Sequence, residues 1–330
     1  MRVAIVGAGA IGAWLGVRLA SAGCEISVLA REQTLAAIRQ QGLRLIIDGA
    51  TRTARVKASD RADDLGVQDL VVLALKGQAL PNVAPAMSAL LGPATTVLPA
   101  MNGVPWWFFH GLPGVMQGAS LESVDPGSVV SRSLPPAQVI GCVVHASCAT
   151  AEPGCAIHKS GNGLIVGEPV GGSSPRLDAV LNVLREAEFD VTASPRIQRD
   201  IWYKLWGNMT INPISAITGA TSDLILDDSL VSAFVLRVMA EAAELGALIG
   251  CAITERGEAR MQVTRKLGSF KTSMLQDAEA GRSLEMEALL GAPREIARRL
   301  DLATPNMDAL HGLTRLFARA HGLGERGRTP

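Results

Sequence analysis

The stretch that decides the fold comes first in the chain: Met1-Arg2-Val3-Ala4-Ile5-Val6-Gly7-Ala8-Gly9-Ala10-Ile11-Gly12. Arg2 to Val6 reads as a strand, a short run rich in β-branched residues. A Gly-x-Gly-x-x-Gly turn follows at once. From about Ile11 to Ala22 apolar residues then recur at helical spacing, until Gly23 stops them. Strand, glycine turn and helix in that order open a dinucleotide-binding βαβ unit. Gly7 permits the tight turn, Gly9 lets the backbone approach a pyrophosphate, and Gly12 lets helix pack on strand. Ala10 and Ile11 bring the first free N–H groups of the helix to the same anion.

Outward from that unit the alternation continues. Glu25 to Leu29 reads as the second strand, and Leu43 to Val56 alternates like a hairpin. Asp69 to Leu75 is a nearly continuous apolar run, and Thr95 to Pro99 is another strand. Phe109 to Pro136 is loop-like. Extended segments follow at Val139 to Cys148 and Gly163 to Val166, with Glu152-Pro153-Gly154 as the turn between them. After about Arg196 the pattern is helical: a long helix capped by Asp227 or Asp228 and ending near Gly250, then Thr254 to Leu267, Leu284 to Leu300 and Met307 to Ala320, with a frayed tail at Gly322 to Pro330. The predicted class is α/β: a Rossmann-like, NADPH-binding domain over residues 1–195 and an all-helical substrate and catalytic domain over 196–330.

The choice of NADPH rests on the end of the second strand. NAD sites place an acidic residue there for the ribose 2′-hydroxyl. Here the chain reads Val28-Leu29-Ala30-Arg31, and the planar fork of Arg31 suits a 2′-phosphate. Glu32 either neutralises Arg31 or serves the ribose itself.

Bulk composition narrows the partners. With 330 residues, Lys plus Arg at 31 and Asp plus Glu at 31, the chain has no net charge, which argues against nucleic acid. No apolar stretch approaches the roughly 20 residues of a membrane-spanning helix. The N-terminus enters a strand without a signal-peptide core, so the expected location is the cytoplasm. Five scattered cysteines make no disulfide framework. Cys142, His145, Cys148, Cys155 and His158 have tempting zinc spacings. On strands, however, each Cys–His pair three apart is split across two faces, so no metal is expected.

The second informative stretch is Trp202-Tyr203-Lys204-Leu205-Trp206-Gly207-Asn208-Met209-Thr210-Ile211-Asn212-Pro213. Lys204, Asn208 and Asn212 are spaced by four and share one helix face. Reducing a ketone by hydride makes an alkoxide that needs a proton, which a lysine ammonium in apolar surroundings can deliver. Neighbouring amides can hold substrate oxygens. The plainer alternative is a solvated polar stripe.

The glycine start, Leu75-Lys76, Asn102-Gly103, the Lys204/Asn208/Asn212-Pro213 face, Ser273-Met274-Leu275-Gln276-Asp277 and Glu285 follow one another as in ketopantoate reductases, which the chain resembles over most of residues 1–300. The resemblance implies NADPH-dependent reduction of 2-dehydropantoate to pantoate. It implies Lys204 as general acid, Glu285 tuning its ammonium, and Asn208, Asn212 and Ser273 on the substrate. Lys76 and Asn102 would stand at the nicotinamide end, Asn102 also serving the substrate. Glu287 rivals Glu285, but the twelve-residue step from Ser273 favours Glu285. In that family a Gln often stands three residues after the lysine, whereas Gln78 stands two after Lys76.

The run Pro105-Trp106-Trp107-Phe108-Phe109-His110 and the loop to about Pro136 look like an insertion. Its aromatics belong to the core, to a homodimer interface or to a substrate lid that could bring His110 to the site. A lid would motivate an alternative: a reductase of another 2-oxo acid. A non-catalytic NADPH sensor is the other, although a sensor has no need of a proton donor. The expected partner is thus a small 2-oxo acid, with a second copy of the chain as an option.

Overall fold

The computed structural model describes residues 1–266 and 268–324. Ten strands run in chain order: β1 (Arg2–Val6), β2 (Glu25–Leu29), β3 (Leu43–Ile47), β4 (Ala50–Ala54), β5 (Lys57–Ser59), β6 (Leu70–Leu73), β7 (Thr96–Pro99), β8 (Gly141–Glu152), β9 (Cys155–Gly167) and β10 (Asp190–Ala193). One sheet has the order β5-β2-β1-β6-β7, with every pair parallel. The unbroken apolar runs of β1 and β6 lie at its centre, where both faces are covered. This is the predicted Rossmann-like arrangement.

A second sheet has the order β10-β9-β3-β4, with β8 antiparallel to β9. β3 and β4 form the predicted hairpin. Its two-residue turn, Asp48-Gly49, has positive φ at both positions, as a type I′ turn requires. The Ala10–Ser21 helix packs between β1 and this second sheet through Trp14, which is fully buried against Phe189 and stacks on His158. Arg18 is buried one turn on. Its guanidinium bonds the Ala187 carbonyl at 3.0 Å and lies 4.4 Å from the centre of the Phe189 ring.

Elements that the sequence reading does not assign include the helices Glu32–Gln41, Val129–Ser133 and Pro175–Glu186, and the strands β5 and β10. The last of these helices carries its own signature. Ser174 caps Leu177, Pro175 opens the first turn, and Leu177, Val180, Leu181 and Leu184 bury one face. Arg176 then forks onto the buried Glu168 at 2.8 Å and 2.5 Å, tying this helix to the end of β9.

The aromatic run is interior. Trp106, Trp107, Phe108 and Phe109 are all buried, Trp106 donating to the Leu134 carbonyl at 3.0 Å. A Cβ on Gly141 would come within 2.5 Å of the Trp107 ring. These rings fill core. They offer neither a lid nor a face for a second copy.

By its contacts the chain falls into two compact units. One comprises Met1–Met101, Trp106–Leu112 and Gly127–Asp200. The other comprises Asn102–Pro105, Pro113–Pro126 and Ile201 onward. The second is helical, built on Ile197–Thr218, Ser229–Leu248, Gly257–Arg265, Ala292–Arg299 and Pro305–Ala320. Asp228 caps the Ser229–Leu248 helix through the N–H groups of Leu230 and Val231. The helix expected from Leu284 instead begins at Met286 and opens with an irregular turn, Glu287–Gly291. Of the sequence expectations, Leu267 at one helix end and the tail from residue 325 lie outside the described residues. Among the described residues no helix is long and apolar enough to cross a membrane.

Candidate active site

In the first unit the three motif glycines have different surroundings. Gly7, at φ +93, receives no side chain because a Cβ there would meet Leu75 at 2.6 Å and the Ala74 carbonyl at 2.8 Å. Gly12 backs onto the carbonyl oxygen of Gly7, which a Cβ would overlap. Gly9 is exposed, and a Cβ built on it meets nothing within 4 Å. Protein therefore closes the first and third positions and leaves the second open, as a diphosphate cradle requires. Gly9 also precedes the Ala10–Ser21 helix without any side-chain cap. The N–H groups of that first turn, where Ala10 and Ile11 are half-buried, remain available to an anion. These residues fit a dinucleotide.

Arg31 is exposed two residues beyond β2, and no carboxylate of a described residue pairs with it, Glu32 included. Lys76 does not end a strand. It is half-buried three residues beyond β6, at the start of the short 3₁₀ turn Gly77–Ala79.

In the second unit the Ile197–Thr218 helix has two working faces. Trp202 and Trp206 lie one turn apart and donate to the Ala242 and Met239 carbonyls at 3.1 Å and 2.7 Å, seating the helix on Ser229–Leu248. Lys204, Asn208 and Asn212 fall on the other side, since two residues advance the helix by about 200°. The Lys204 ammonium donates to the side-chain oxygen of Asn102 at 2.8 Å. Asn212 is only 7% exposed, and Lys204 and Asn208 are half-buried. A solvated stripe does not describe this face.

Ser273 is exposed at the first position of the Ser273–Glu279 helix. Its neighbour Thr272, buried, caps that helix, accepting the Leu275 N–H at 3.1 Å. Glu285 is half-buried in the extended run immediately before Met286. Glu287 sits inside the irregular turn, its carboxylate 4.0 Å from His311. His110 contributes its backbone carbonyl to Gln198 at 3.3 Å. Of the strand cysteines, Cys142 and Cys155 are buried, and burial pushes the Cys148 thiol up to about 12; His158 stacks on Trp14, while His145 is exposed. No group of three metal-ligating side chains forms among the described residues.

Two neighbouring residues of this region take part through backbone, and only one of them, Gly103, belongs to a motif read from the sequence. Val104 donates its N–H to the Ala288 carbonyl at 2.8 Å, and Gly103, at φ +83, lies flat on the same residue. Both act through backbone, which leaves no side-chain signature.

Residues 3–171 match the model of the ketopantoate reductase PanE/ApbA family, and residues 196–318 match that of its C-terminal domain. The chain belongs to the ketopantoate reductase family. It is an oxidoreductase acting on CH–OH groups, in a family of dinucleotide-dependent enzymes. A 2-dehydropantoate 2-reductase of Mesorhizobium japonicum is 40% identical over 323 residues, covering 98% of this chain and 99% of its own. The crystal structure of a candidate ketopantoate reductase from Ralstonia solanacearum MolK2 is 53% identical, with a TM-score of 0.94, covering 98% of this chain and 99% of its own. A PanE/ApbA family ketopantoate reductase from Ralstonia eutropha JMP134 is 26% identical, with a TM-score of 0.83, covering 98% and 100%.

Proposed function

We propose that the chain reduces 2-dehydropantoate to pantoate with NADPH, and that Lys204 is the general acid. The observation that carries this reading is the Lys204 ammonium held at 2.8 Å by Asn102, on the helix face it shares with the amides of Asn208 and Asn212. Residues 1–195 would bind the cofactor: Gly7, Gly9, Ala10, Ile11 and Gly12 the diphosphate, Arg31 the 2′-phosphate, Lys76 and Asn102 the nicotinamide end. Residues 196–330 would bind substrate, with Asn208, Asn212 and Ser273 on its carboxylate and hydroxyl groups, Asn102 beside them, and Glu285 orienting the ammonium.

A reduced dinucleotide held there would supply the hydride taken up by C2 of the 2-oxo acid and would leave as its oxidised form. As that carbon gains its new C–H bond, the carbonyl π pair moves onto oxygen. Lys204 places a proton there, so the product is an alcohol rather than an alkoxide, and the neutral amine is re-protonated from solvent. Asn102 accepts one N–H of the ammonium and so limits its rotation. General acid catalysis of this kind contributes on the order of 10²–10⁴-fold.

The test joins a substrate panel to one variant. NADPH and a set of 2-oxo acids are given to the purified protein, with 2-dehydropantoate expected to have the highest kcat/KM. Lys204→Ala should bind NADPH as before and lose at least about a hundredfold in turnover. Turnover by Lys204→Ala at the parent rate would remove the lysine from its role. Equal use of unrelated 2-oxo acids would remove the substrate assignment alone.

A further inference from the structure

We propose that the irregular turn Glu287–Gly291, made irreversible by Pro293, is the positioning device for Lys204, an inference that rests on the general-acid reading above. Within this turn the backbone is π-helical: the Ala292 N–H reaches back five residues, to the Glu287 carbonyl. In ordinary α register that N–H would serve Ala288. In the π register the donor for Ala288 would come from residue 293. Residue 293 is proline and has no N–H. Turn and proline together leave the Ala288 carbonyl without an intrahelical donor.

A buried carbonyl in that state needs a partner from elsewhere. Ala288 is buried, and its partner is the Val104 N–H at 2.8 Å. The fit around this bond is close. A Cβ on Gly103 would lie 2.5 Å from the Ala288 oxygen and 2.6 Å from its carbonyl carbon and its Cβ. The residue before Gly103 is Asn102, the acceptor of Lys204. One backbone carbonyl, stranded by a proline five residues along, thus anchors the loop that presents Asn102 to the ammonium.

Beside the turn, Arg294 donates to Nδ1 of the buried His311 at 2.8 Å, and Nε2 of that ring lies 4.0 Å from the Glu287 carboxylate, beyond hydrogen-bond reach. Single π turns interrupt α-helices mostly at functional sites, where the irregular register does something a regular one cannot. Here it exposes an acceptor. Ala288, Gly103 and Pro293 are positioning residues, acting through Asn102.

Pro293→Ala tests this directly, because it supplies the missing N–H and lets the helix satisfy Ala288 internally. We expect kcat to fall about tenfold, as for a modest misplacement of a catalytic group. NADPH affinity should be unchanged and Tm equal or higher, since the substitution removes a proline from a helix. A proline of purely structural importance would give the opposite split, with Tm lowered and kcat per folded molecule intact. Asn102→Ala combined with Pro293→Ala should be no slower than Asn102→Ala alone, because both remove one interaction. Gly103→Ala pushes the loop off Ala288 without changing the backbone donors of the helix, and it decides the same cycle if Pro293→Ala fails to fold. Parent-level kcat in the folded variants, or additive losses in the cycle, would overturn the inference. Were Lys204→Ala inactive in the same assays, the general-acid reading would survive that failure.

Discussion

The carboxylate of Glu295 accepts the Ser123 hydroxyl at 2.6 Å, and it also takes the backbone N–H groups of Ser123 and Glu122 at 2.8 Å and 3.0 Å. Arg299, one turn along the same helix, completes the group at 2.5 Å. A buried carboxylate with this many donors pins the segment Pro113–Pro126 to the Ala292–Arg299 helix within the second unit.

Burial raises the Glu295 carboxyl, but the hydrogen bonds from Ser123 and Glu122 and the Arg299 charge outweigh it, leaving the group below its usual range. A depressed folded-state value means stability that is complete above the unfolded value, near 4.5, and is lost as pH falls through the folded one. Glu295→Gln should therefore destabilise the protein at pH 7, by about 1–3 kcal/mol for a buried charge-assisted acceptor. The difference from the parent should shrink as pH drops below about 4.5. Urea unfolding at pH 7 and across the acid range measures both. A penalty that is constant with pH would show that the charge is not what Glu295 contributes.

The contrast between Gly9 and Gly12 predicts two different failures. Gly12→Ala puts a methyl group onto the Gly7 carbonyl and should lower Tm, and cofactor binding with it. Gly9→Ala adds its methyl in open space. It should leave Tm unchanged and weaken NADPH at least tenfold, or about 1.4 kcal/mol, as seen by fluorescence titration.

Arg31 predicts cofactor choice. With no carboxylate of a described residue beside it, its charge is available to a 2′-phosphate. Arg31→Ala should raise KM for NADPH by about tenfold or more, the worth of one charge-assisted contact. KM for NADH should hardly change. Equal loss with both cofactors would place Arg31 on a group they share.

Trp107 separates core from lid. At 1% exposure it fills the interior behind Gly141 and Ile197. Trp107→Ala should cost about 3–5 kcal/mol of stability. Among molecules that remain folded, KM for the 2-oxo acid should match the parent. A selective rise in KM would reinstate these aromatics at the substrate.

Much of this was legible in the chain. Val3–Val6, the three glycines and Leu70–Leu73 specify a parallel sheet with a dinucleotide turn, because burial on both faces demands continuous apolar runs and the turn demands glycine where Cβ has no room. The spacing of Lys204, Asn208 and Asn212 likewise places them on one face, since helix geometry is local. The Pro175–Glu186 helix has a local signature too, in Ser174-Pro175 and its leucine periodicity, although the sequence reading above does not assign it.

Other features had no local signal. That the four aromatics from Trp106 are interior depends on Gly141 and Leu134, distant in sequence. That Asn102 receives the Lys204 proton donor is a contact across 102 positions. The sequence by itself determined which residues share a strand, a turn or a helix face, because φ/ψ preferences and side-chain periodicity act over a few residues. Tertiary structure alone decided which carbonyl is left without a donor and which loop answers it. An unsatisfied backbone group exists only once the register around it has been chosen, and its partner only once the chain has folded back.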